Sequence, residues 1–590
     1  MAGVLLLIVG FRLNTEISRL YSHLGDTRRP YEFSVLGRRS CCATKEALMK
    51  LVTSLENFPQ SPEILSALSN QPEWTKENPY LDILAPRFFT NSSKQDWSDL
   101  PKRVGRLFLK AEQKYSDFSF ARHQAAEVVK LVNEGAFFPN SPVMMNSEHE
   151  TSANLFACHV LSPPSGTNDM DTAKAIHDGC GGIGYYFSEM RDPVSATLTI
   201  ERETKSLNPN RKRKAHSAVT LSYDHPDILN FIRAASQLEI THTNVEFDEQ
   251  FFTDLSRDET RAVGLWETIG QSIHKTGRPS LSFKGKNCKR AGEKLINNVC
   301  GESLLRENES SLIGSINLTK FVQNGLFDFD RLQGVARLGL RLLDNLHDIQ
   351  DHASPLVRER CLESRKVGVG VMGYSDALLM MNIRYGSAEA LEFVDKLMST
   401  LRSTLRNESE KLGEERGFCN LELLEDGVRP RRNASLMAIP ANGTLSLIAN
   451  VSGGIEPIFT YLTKQTIQGI MFQQLQPTLK QILRKNGVDM KPVLEELASG
   501  RKASELGCIE SRMQDALVVA NDLTTDDHIL TQSKFQEFID GGISKTINLP
   551  SEASVYDIQR AILLSNEKGC VGISLYRNES LENQPTQGVS

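Results

Sequence analysis

Asn297-Asn298-Val299-Cys300-Gly301-Glu302 sets an amide, a thiol and a carboxylate at alternating positions, Asn298, Cys300 and Glu302. Drawn out as a strand, the segment would turn these three side chains to one face, because i, i+2 and i+4 point the same way in extended backbone. A thiol can give or take a hydrogen atom, a carboxylate can take a proton, and an amide can orient a hydroxyl. The set suits chemistry on a polyhydroxylated substrate such as a sugar. Taken alone, the hexapeptide reads better as a buried structural cysteine in a polar turn, since cysteine is among the most buried residue types. The rest of the chain reverses that balance.

Outward from this stretch, strand-length apolar runs alternate with longer amphipathic helices from about residue 121, the pattern of an α/β protein with mostly parallel strands. Upstream, Asn154 to Leu161 reads as a strand with Cys158 inside it, and Cys180-Gly181-Gly182-Ile183-Gly184 as a loop whose glycines let backbone approach a ligand. Val219 to Ser222 reads as a strand and Pro226 to Ala234 as a helix. Between them and that loop, the basic run at 209–216 is either a solvated loop or a phosphate-facing one; as a nuclear-localisation signal it is weak. Downstream, the spacing predicts a helix over Leu332 to His352 and a buried strand over Val367 to Gly373. A long helix follows over 387–416, with Leu391, Val394, Leu397, Met398 and Leu401 on one face and Gly417 as its cap. Asn442-Gly443-Thr444 is a turn opening a helix, equally an ordinary N-terminus or a phosphate holder. Ser544 to Pro550 and Gly569 to Arg577 read as two more buried strands.

The first 120 residues read as a mainly helical region, with helices over Glu46 to Leu55 and Lys102 to Tyr115 around a proline-punctuated segment. The polar tail, 581–590, falls outside the domain spanning 121–580. A net charge of −6 argues against a nucleic-acid partner. Ten cysteines in 590 residues, with no C-x-x-C pair and only Cys41-Cys42 adjacent, exclude a disulfide scaffold and a zinc ribbon, and no metal ligands are assigned. Reduced thiols in a cytoplasmic protein are the simplest reading. The apolar Met1 to Gly10 is too short for a membrane span and lacks a charged leader, so a short buried strand or helix is expected and no membrane association.

Together these segments resemble the catalytic chain of ribonucleotide reductases, and most closely the adenosylcobalamin-dependent type. The family's Asn-Pro-Cys-Gly-Glu stands here as Asn298 to Glu302, its Pro-Asn-Ser-Pro as Pro139 to Pro142, and its Ser-Ala-Cys as Phe156-Ala157-Cys158. Asp224-His225-Pro226-Asp227-Ile228 matches outright. Gly314 to Leu318, Val367 to Gly373, Gly454 to Pro457, Ser544 to Pro550 and Gly569 to Arg577 match closely. The resemblance implies a ten-stranded α/β barrel with a central finger loop and radical reduction of ribonucleotides to 2′-deoxyribonucleotides. It makes Cys300 the thiyl radical that takes the ribose 3′ hydrogen, Glu302 the acceptor of the 3′-hydroxyl proton, Asn298 a holder of the ribose hydroxyls, and Cys158 the acid for the leaving 2′-hydroxyl. Ser141, Ala157, Gly182, Asn442, Gly443 and Thr444 become substrate contacts. A nucleotide effector, an external thiol reductant and a homodimer are the partners it implies. The iron-dependent class carries a radical in through two adjacent tyrosines; here only Tyr576 stands at that place, which favours adenosylcobalamin, and its cobalt, as the radical source.

Three departures bear on mechanism. The family oxidises two cysteines while reducing the sugar; one is Cys158, and the other position, eleven residues after Cys300, is Ser311. The chain ends soon after Arg577 without the cysteine pair that regenerates the family's site. Met190-Arg191-Asp192 joins the glycine loop to Pro193 almost directly, where the family has a longer glycine-rich segment that contributes to the effector and dimer surface, and Asn210 to Lys214 lacks the glycines of the next loop. Cys180, an external reductant or a second chain could replace the missing sulfur. The alternatives to reduction are a non-reductive radical reaction on a nucleotide or sugar, or an inactive paralogue; retention of Asn298, Cys300 and Glu302 counts against the last.

Overall fold

The computed structural model describes residues 71–580, apart from 90–95, 148–153, 165–166, 210, 212, 286–293, 426 and 468–469. The decapeptide at the start, Cys41-Cys42, the helix expected at Glu46 to Leu55 and the tail after residue 580 lie outside the described residues.

Strands β1 (Phe137–Pro139), β2 (Cys158–Val160), β3 (Gly182–Tyr186), β4 (Ser217–Ser222), β5 (Thr241–Phe247) and β6 (Ser280–Phe283) come first. A short antiparallel hairpin of β7 (Ile296–Asn297) and β8 (Leu304–Leu305) follows, then β9 (Glu309–Asn317) and a small hairpin of β10 (Val322–Gln323) and β11 (Leu326–Phe327). Strand β12 (Val367–Met372) precedes a second outer hairpin, β13 (Leu462–Ile467) with β14 (Ile470–Leu475), and the chain finishes with β15 (Thr546–Leu549) and β16 (Gly572–Arg577). The main sheet has ten strands. Strands β2 to β6 run parallel to one another, β16 joins β6 antiparallel, β15 is parallel to β16, and β9 is parallel to β12 and antiparallel to β2. One edge of β9 is taken by β12; the other is shared end to end by β2 and β1.

The remaining gap, between β12 and β15, is filled by residues 435–439. Val369 bridges Met437 and Ile439 bridges Ile543, both in parallel register. The Val369 N–H donates to the Leu436 carbonyl at 2.8 Å, and the Ser544 N–H to the Ile439 carbonyl at 2.8 Å. Hydrogen bonding therefore runs around a closed circuit, two parallel halves joined antiparallel, which leaves no free sheet edge in the barrel. The alternation in β12, Val-Gly-Val-Gly-Val, follows from this closure: a Cβ at Gly368 would stand 2.8 Å from the Ala438 Cβ, and one at Gly370 would overlap the Ala438 carbonyl.

Outside the barrel, the helix expected over 387–416 forms as Ala388–Arg416, with Val394, Leu397, Met398 and Leu401 buried and Gly417 at its C-cap. The helix expected from Leu332 forms as Phe329–Leu346. It is tied to the earlier helix Asp99–Glu112 by a buried ionic cluster. Glu112 accepts hydrogen bonds from Arg341 at 2.7 Å, Asn345 at 2.8 Å and Arg416 at 2.8 Å, and these donors hold its carboxyl below the usual range against the opposing effect of burial. Sequence reading gave no element between β14 and Ser544, where helices Pro477–Lys485 and Met490–Ala498 pack Leu479, Leu483, Val493 and Leu497 into a separate small core.

The β7–β8 hairpin enters the barrel between two pairs of glycines. On one wall, a Cβ at Gly182 would lie 3.0 Å from the Val299 Cγ2, and one at Gly184 would overlap the Asn297 carbonyl. On the opposite wall, a Cβ at Gly541 would lie 2.7 Å from the Glu302 carbonyl, and one at Gly542 would overlap the Gly301 carbonyl. Gly542→Ala should accordingly destabilise the protein by about 1–3 kcal/mol, the usual range for overpacking. Gly334→Ala, on the exposed face of a helix with no heavy atom near its added Cβ, should stabilise it by about 0.4–1 kcal/mol. Urea denaturation of both variants checks the pair; equal effects would remove the glycine argument.

Candidate active site

The hairpin tip is a tight turn, not the extended segment that sequence alternation suggested. Gly301 has φ +76°, its N–H donates to the Asn298 carbonyl at 3.2 Å, and the Asn298 N–H donates to the Ser303 carbonyl at 3.1 Å. The Asn298 Oδ1 accepts from the Ser303 N–H at 3.0 Å, and the Gly542 N–H reaches across the barrel to the Glu302 carbonyl at 2.8 Å. Convergence of the polar groups thus comes from a turn pinned at both shoulders rather than from strand periodicity.

Cys300 and Glu302 face a cavity of about 320 Å³. Cys158 enters from β2, and its thiol donates to the Glu302 Oε1 at 3.0 Å. The other carboxyl oxygen of Glu302, and the amide nitrogen of Asn298, are buried without a hydrogen-bond partner. Such orphaned groups are costly in a finished interior and are the atoms a bound ligand would satisfy. Burial raises the Glu302 carboxyl above its usual range; the hydrogen bond from Cys158 works the other way. Burial, followed by the nearby Glu302 carboxyl, pushes the Cys158 thiol well up. Cys300 presents accessible surface to the cavity but is ringed closely enough by protein that burial pushes its thiol up to about 12. Both thiols are therefore held in their protonated forms near neutral pH beside a carboxyl shifted upward, an arrangement suited to passing hydrogen atoms and protons rather than to a standing thiolate.

Of the residues marked in the sequence, Ser141, Ala157, Cys158, Gly182, Cys300, Glu302, Asn442, Gly443 and Thr444 all line this cavity. Asn298 is not among the lining residues; it is 2% exposed, its Oδ1 holds the turn, and its side chain lies beside the Glu302 carboxyl. Ser141 opens the short helix Ser141–Asn146, capped by the Asn140 side chain, which accepts from the Val143 N–H at 3.0 Å. Asn442 precedes the helix Gly443–Ala449 without capping it. Its side chain instead accepts from the Ser315 hydroxyl at 2.9 Å and donates to the Val371 carbonyl at 3.2 Å, fixing the turn to β9 and β12. Sequence reading missed His242 and Ser315 on the cavity wall, and left Arg213, Lys214 and His216 undecided within the basic run; all three line the cavity. Ser311 stands directly opposite Cys158 in the β2–β9 register, and its hydroxyl donates to the Lys366 carbonyl at 3.3 Å. A second cavity, about 760 Å³, shares His242 with the first and is lined by Glu456, Phe459 and Tyr576 among others.

The chain is similar to known proteins over most of its length. Residues 238–422 and 420–576 match the family model described as ribonucleotide reductase, barrel domain. A vitamin B12-dependent ribonucleoside-diphosphate reductase of Thermoplasma acidophilum is 30% identical over 78% of this chain and 66% of its own length. One named in the same words from Mycobacterium tuberculosis is 29% identical over 82% of this chain and 76% of its own length. The chain thus spans about two thirds to three quarters of these relatives. The fold of an Actinobacillus ureae class Id ribonucleotide reductase alpha subunit superimposes with a TM-score of 0.71 at 19% identity, covering 86% of this chain and 98% of that one.

The raised Glu302 pKa carries a stability signature. A carboxyl whose folded pKa lies above the unfolded value, about 4.5, binds its proton more tightly when folded, so stability falls as pH rises from the unfolded value towards the folded one. Below pH about 4.5 both states are protonated and the effect vanishes. Glu302→Gln should match the wild type in acid and become the more stable protein as pH rises above that window. Urea midpoints of the two proteins across pH 4–7 test it; a constant difference would mean that Glu302 ionises normally.

Proposed function

This chain belongs to the ribonucleotide reductase family, and from that premise we propose that it reduces ribonucleotides to 2′-deoxyribonucleotides through a thiyl radical at Cys300. The observation that carries the reading is the convergence of Cys300, Glu302 and Cys158 on one cavity with an unpartnered carboxyl oxygen and an unpartnered amide beside them. Ribonucleoside diphosphates are the substrate class, following the names of the relatives. Cys300 takes the ribose 3′ hydrogen atom. Glu302 accepts the 3′-hydroxyl proton, a role for which a carboxyl tuned upward is apt. The Cys158 thiol, already donating to Glu302, protonates the departing 2′-hydroxyl. Asn298 orients the ribose hydroxyls through its unpartnered amide nitrogen. The diphosphate rests on Ser141 and the turn at Asn442 to Thr444, where first-turn N–H groups have no intrahelical acceptor, with Ala157 and Gly182 as backbone contacts and Arg213 and Lys214 supplying positive charge.

Adenosylcobalamin is the proposed radical source. What supports this is the larger cavity, about 760 Å³, which adjoins the reaction cavity at His242 and has on its wall Tyr576 with a buried hydroxyl without a partner. Glu456, Phe459 and Tyr576 would hold the cofactor, which supplies homolytic radical generation when bound. Glu456 is fixed for this by the buried Lys545, whose Nζ donates to it at 3.1 Å, and by the Thr546 N–H at 2.6 Å. An external thiol completes the cycle by returning reducing equivalents, a homodimer with a nucleotide effector is the proposed assembly, and the cytoplasm the proposed site of action. Among the described residues, no helix is long and apolar enough to cross a membrane.

Anaerobic incubation with adenosylcobalamin, dithiothreitol and each ribonucleoside diphosphate should yield the matching deoxynucleotide. Cys300→Ala should lower that yield by a factor of about 10³ or more while nucleotide binding is kept. It should also end release of tritium into water from the labelled 5′ position of the cofactor. Turnover that requires a separate iron protein and ignores cobalamin would reject the radical source; turnover by Cys300→Ala would reject the thiyl assignment.

A further inference from the structure

Reduction of the 2′ carbon needs two electrons, and the register around Cys158 limits where the second sulfur can stand. On the β9 side the residue opposite is Ser311. Directly opposed antiparallel residues have Cα atoms about 4.5–5.5 Å apart, inside the span of about 4.4–6.8 Å that a disulfide needs, but a hydroxyl cannot form one. Cys361, on the helix Pro355–Ser364, packs against β9 at the Ser310 carbonyl, 3.8 Å away, and does not line the cavity. On the other side Cys158 pairs with Gly182 of β3, which has no side chain, and the loop leading into Gly182 carries Cys180 onto the wall of the same cavity. Three thiols, Cys158, Cys180 and Cys300, share that space.

The loop is built so that a thiol stands where glycine would be easiest. A Cβ at Gly179 would overlap the Asn154 Cβ, and one at Gly181 would lie 2.8 Å from the His159 Nε2, so those two positions need glycine for room. Cys180 alone among Gly179 to Gly182 has the left-handed backbone, φ +69°, that glycine tolerates without strain. A side chain is retained at the one strained position. Its carbonyl is held by the Arg213 Nη1 at 3.2 Å, and the same guanidinium favours the thiolate of Cys158, the form that thiol exchange uses.

We propose that Cys158 and Cys180 form the redox pair of this site, oxidised together to a disulfide as each ribonucleotide is reduced. The proposal rests on the reductase reading. In each turnover the C2′–O bond breaks and a C2′–H bond forms. The two thiols lose their hydrogens and two electrons, a sulfur–sulfur bond forms, and the oxygen leaves as water; Cys300 is restored unchanged. The external thiol then reduces the disulfide by two exchange steps.

The test is a single turnover without added reductant. Pre-reduced wild-type enzyme should give about one deoxynucleotide per chain, with peptide mapping then recovering a Cys158–Cys180 disulfide. Cys180→Ser should lower that yield about tenfold or more while keeping the Cys300-dependent tritium release, and adding Ser311→Cys should restore the yield. Wild-type yield from Cys180→Ser, or recovery of Cys158 only as a mixed disulfide with a small thiol, overturns the pairing. If the wild type makes no deoxynucleotide from any substrate, the reductase reading fails. Diamide oxidation followed by mapping then still decides the pair: a Cys158–Cys180 cross-link supports it, and Cys158 joined to anything else overturns it.

Discussion

A two-strand hairpin can stand inside a barrel only if the barrel lets its backbone through. Gly182 and Gly184 on one wall and Gly541 and Gly542 on the other give that clearance, and the hydrogen bond from Gly542 to the Glu302 carbonyl anchors the tip to the far side. Everything chemical depends on this passage. The tip places Cys300 and Glu302 at the centre of the sheet circuit, where side chains from β2, from the loop before β3, from β9 and from the turn after residue 439 can all reach one small volume. A barrel packed with ordinary side chains would have no room for it; a hairpin on an outer loop would leave the thiol in bulk water.

The interior position also decides the protonation chemistry. Desolvation disfavours the charged forms of Cys300, Cys158 and Glu302 together, and the hydrogen bond from Cys158 to Glu302 links two of the three. A site built for nucleophilic thiolate chemistry would place a cation against the reacting sulfur to lower its pKa. Here the nearby guanidinium of Arg213 only moderates the upward push of burial. Neutral thiols beside a carboxyl whose affinity for a proton is raised by burial are the state from which hydrogen-atom transfer proceeds.

Much of this was legible before any coordinates. Val367 to Met372 declared a buried strand by its continuous apolar run, and the 387–416 helix announced its inner face by spacing. The polar set at 298–302 was visible as chemistry, but its geometry was not: the alternation suggested a strand, whereas Gly301 in the left-handed region makes it a turn in which Asn298 is buried. His242 stayed invisible because it is one residue in a strand, and nothing local distinguishes a wall residue from a core one. The same holds for the closing segment 435–439, which meets its neighbours through isolated bridges and whose apolar run, Leu436 to Ile439, is only four residues long. Barrel closure is a property of pairings between distant segments, and single-segment periodicity cannot report it.

Register turns a missing cysteine from a compositional remark into a geometric one. Because β2 lies between β9 and β3, Cys158 has two lateral neighbours, Ser311 and Gly182, and no other main-chain position of the sheet lies beside it. A replacement sulfur must therefore come from a loop at a strand end or from a molecule entering the cavity. A strand residue cannot shift to supply it, since moving β9 by one residue would turn its alternate side chains to the other face and break its pairing with β12 along the full length of that strand. The loop before β3 is under no such constraint. It meets the cavity at Cys180 and Gly181, it is held there by Arg213 and by turn hydrogen bonds to the His177 and Ile176 carbonyls rather than by strand pairing, and its one left-handed residue can be exchanged between glycine and a side chain without moving any strand. In a closed barrel, chemistry can be relocated at the loops while the strands stay fixed.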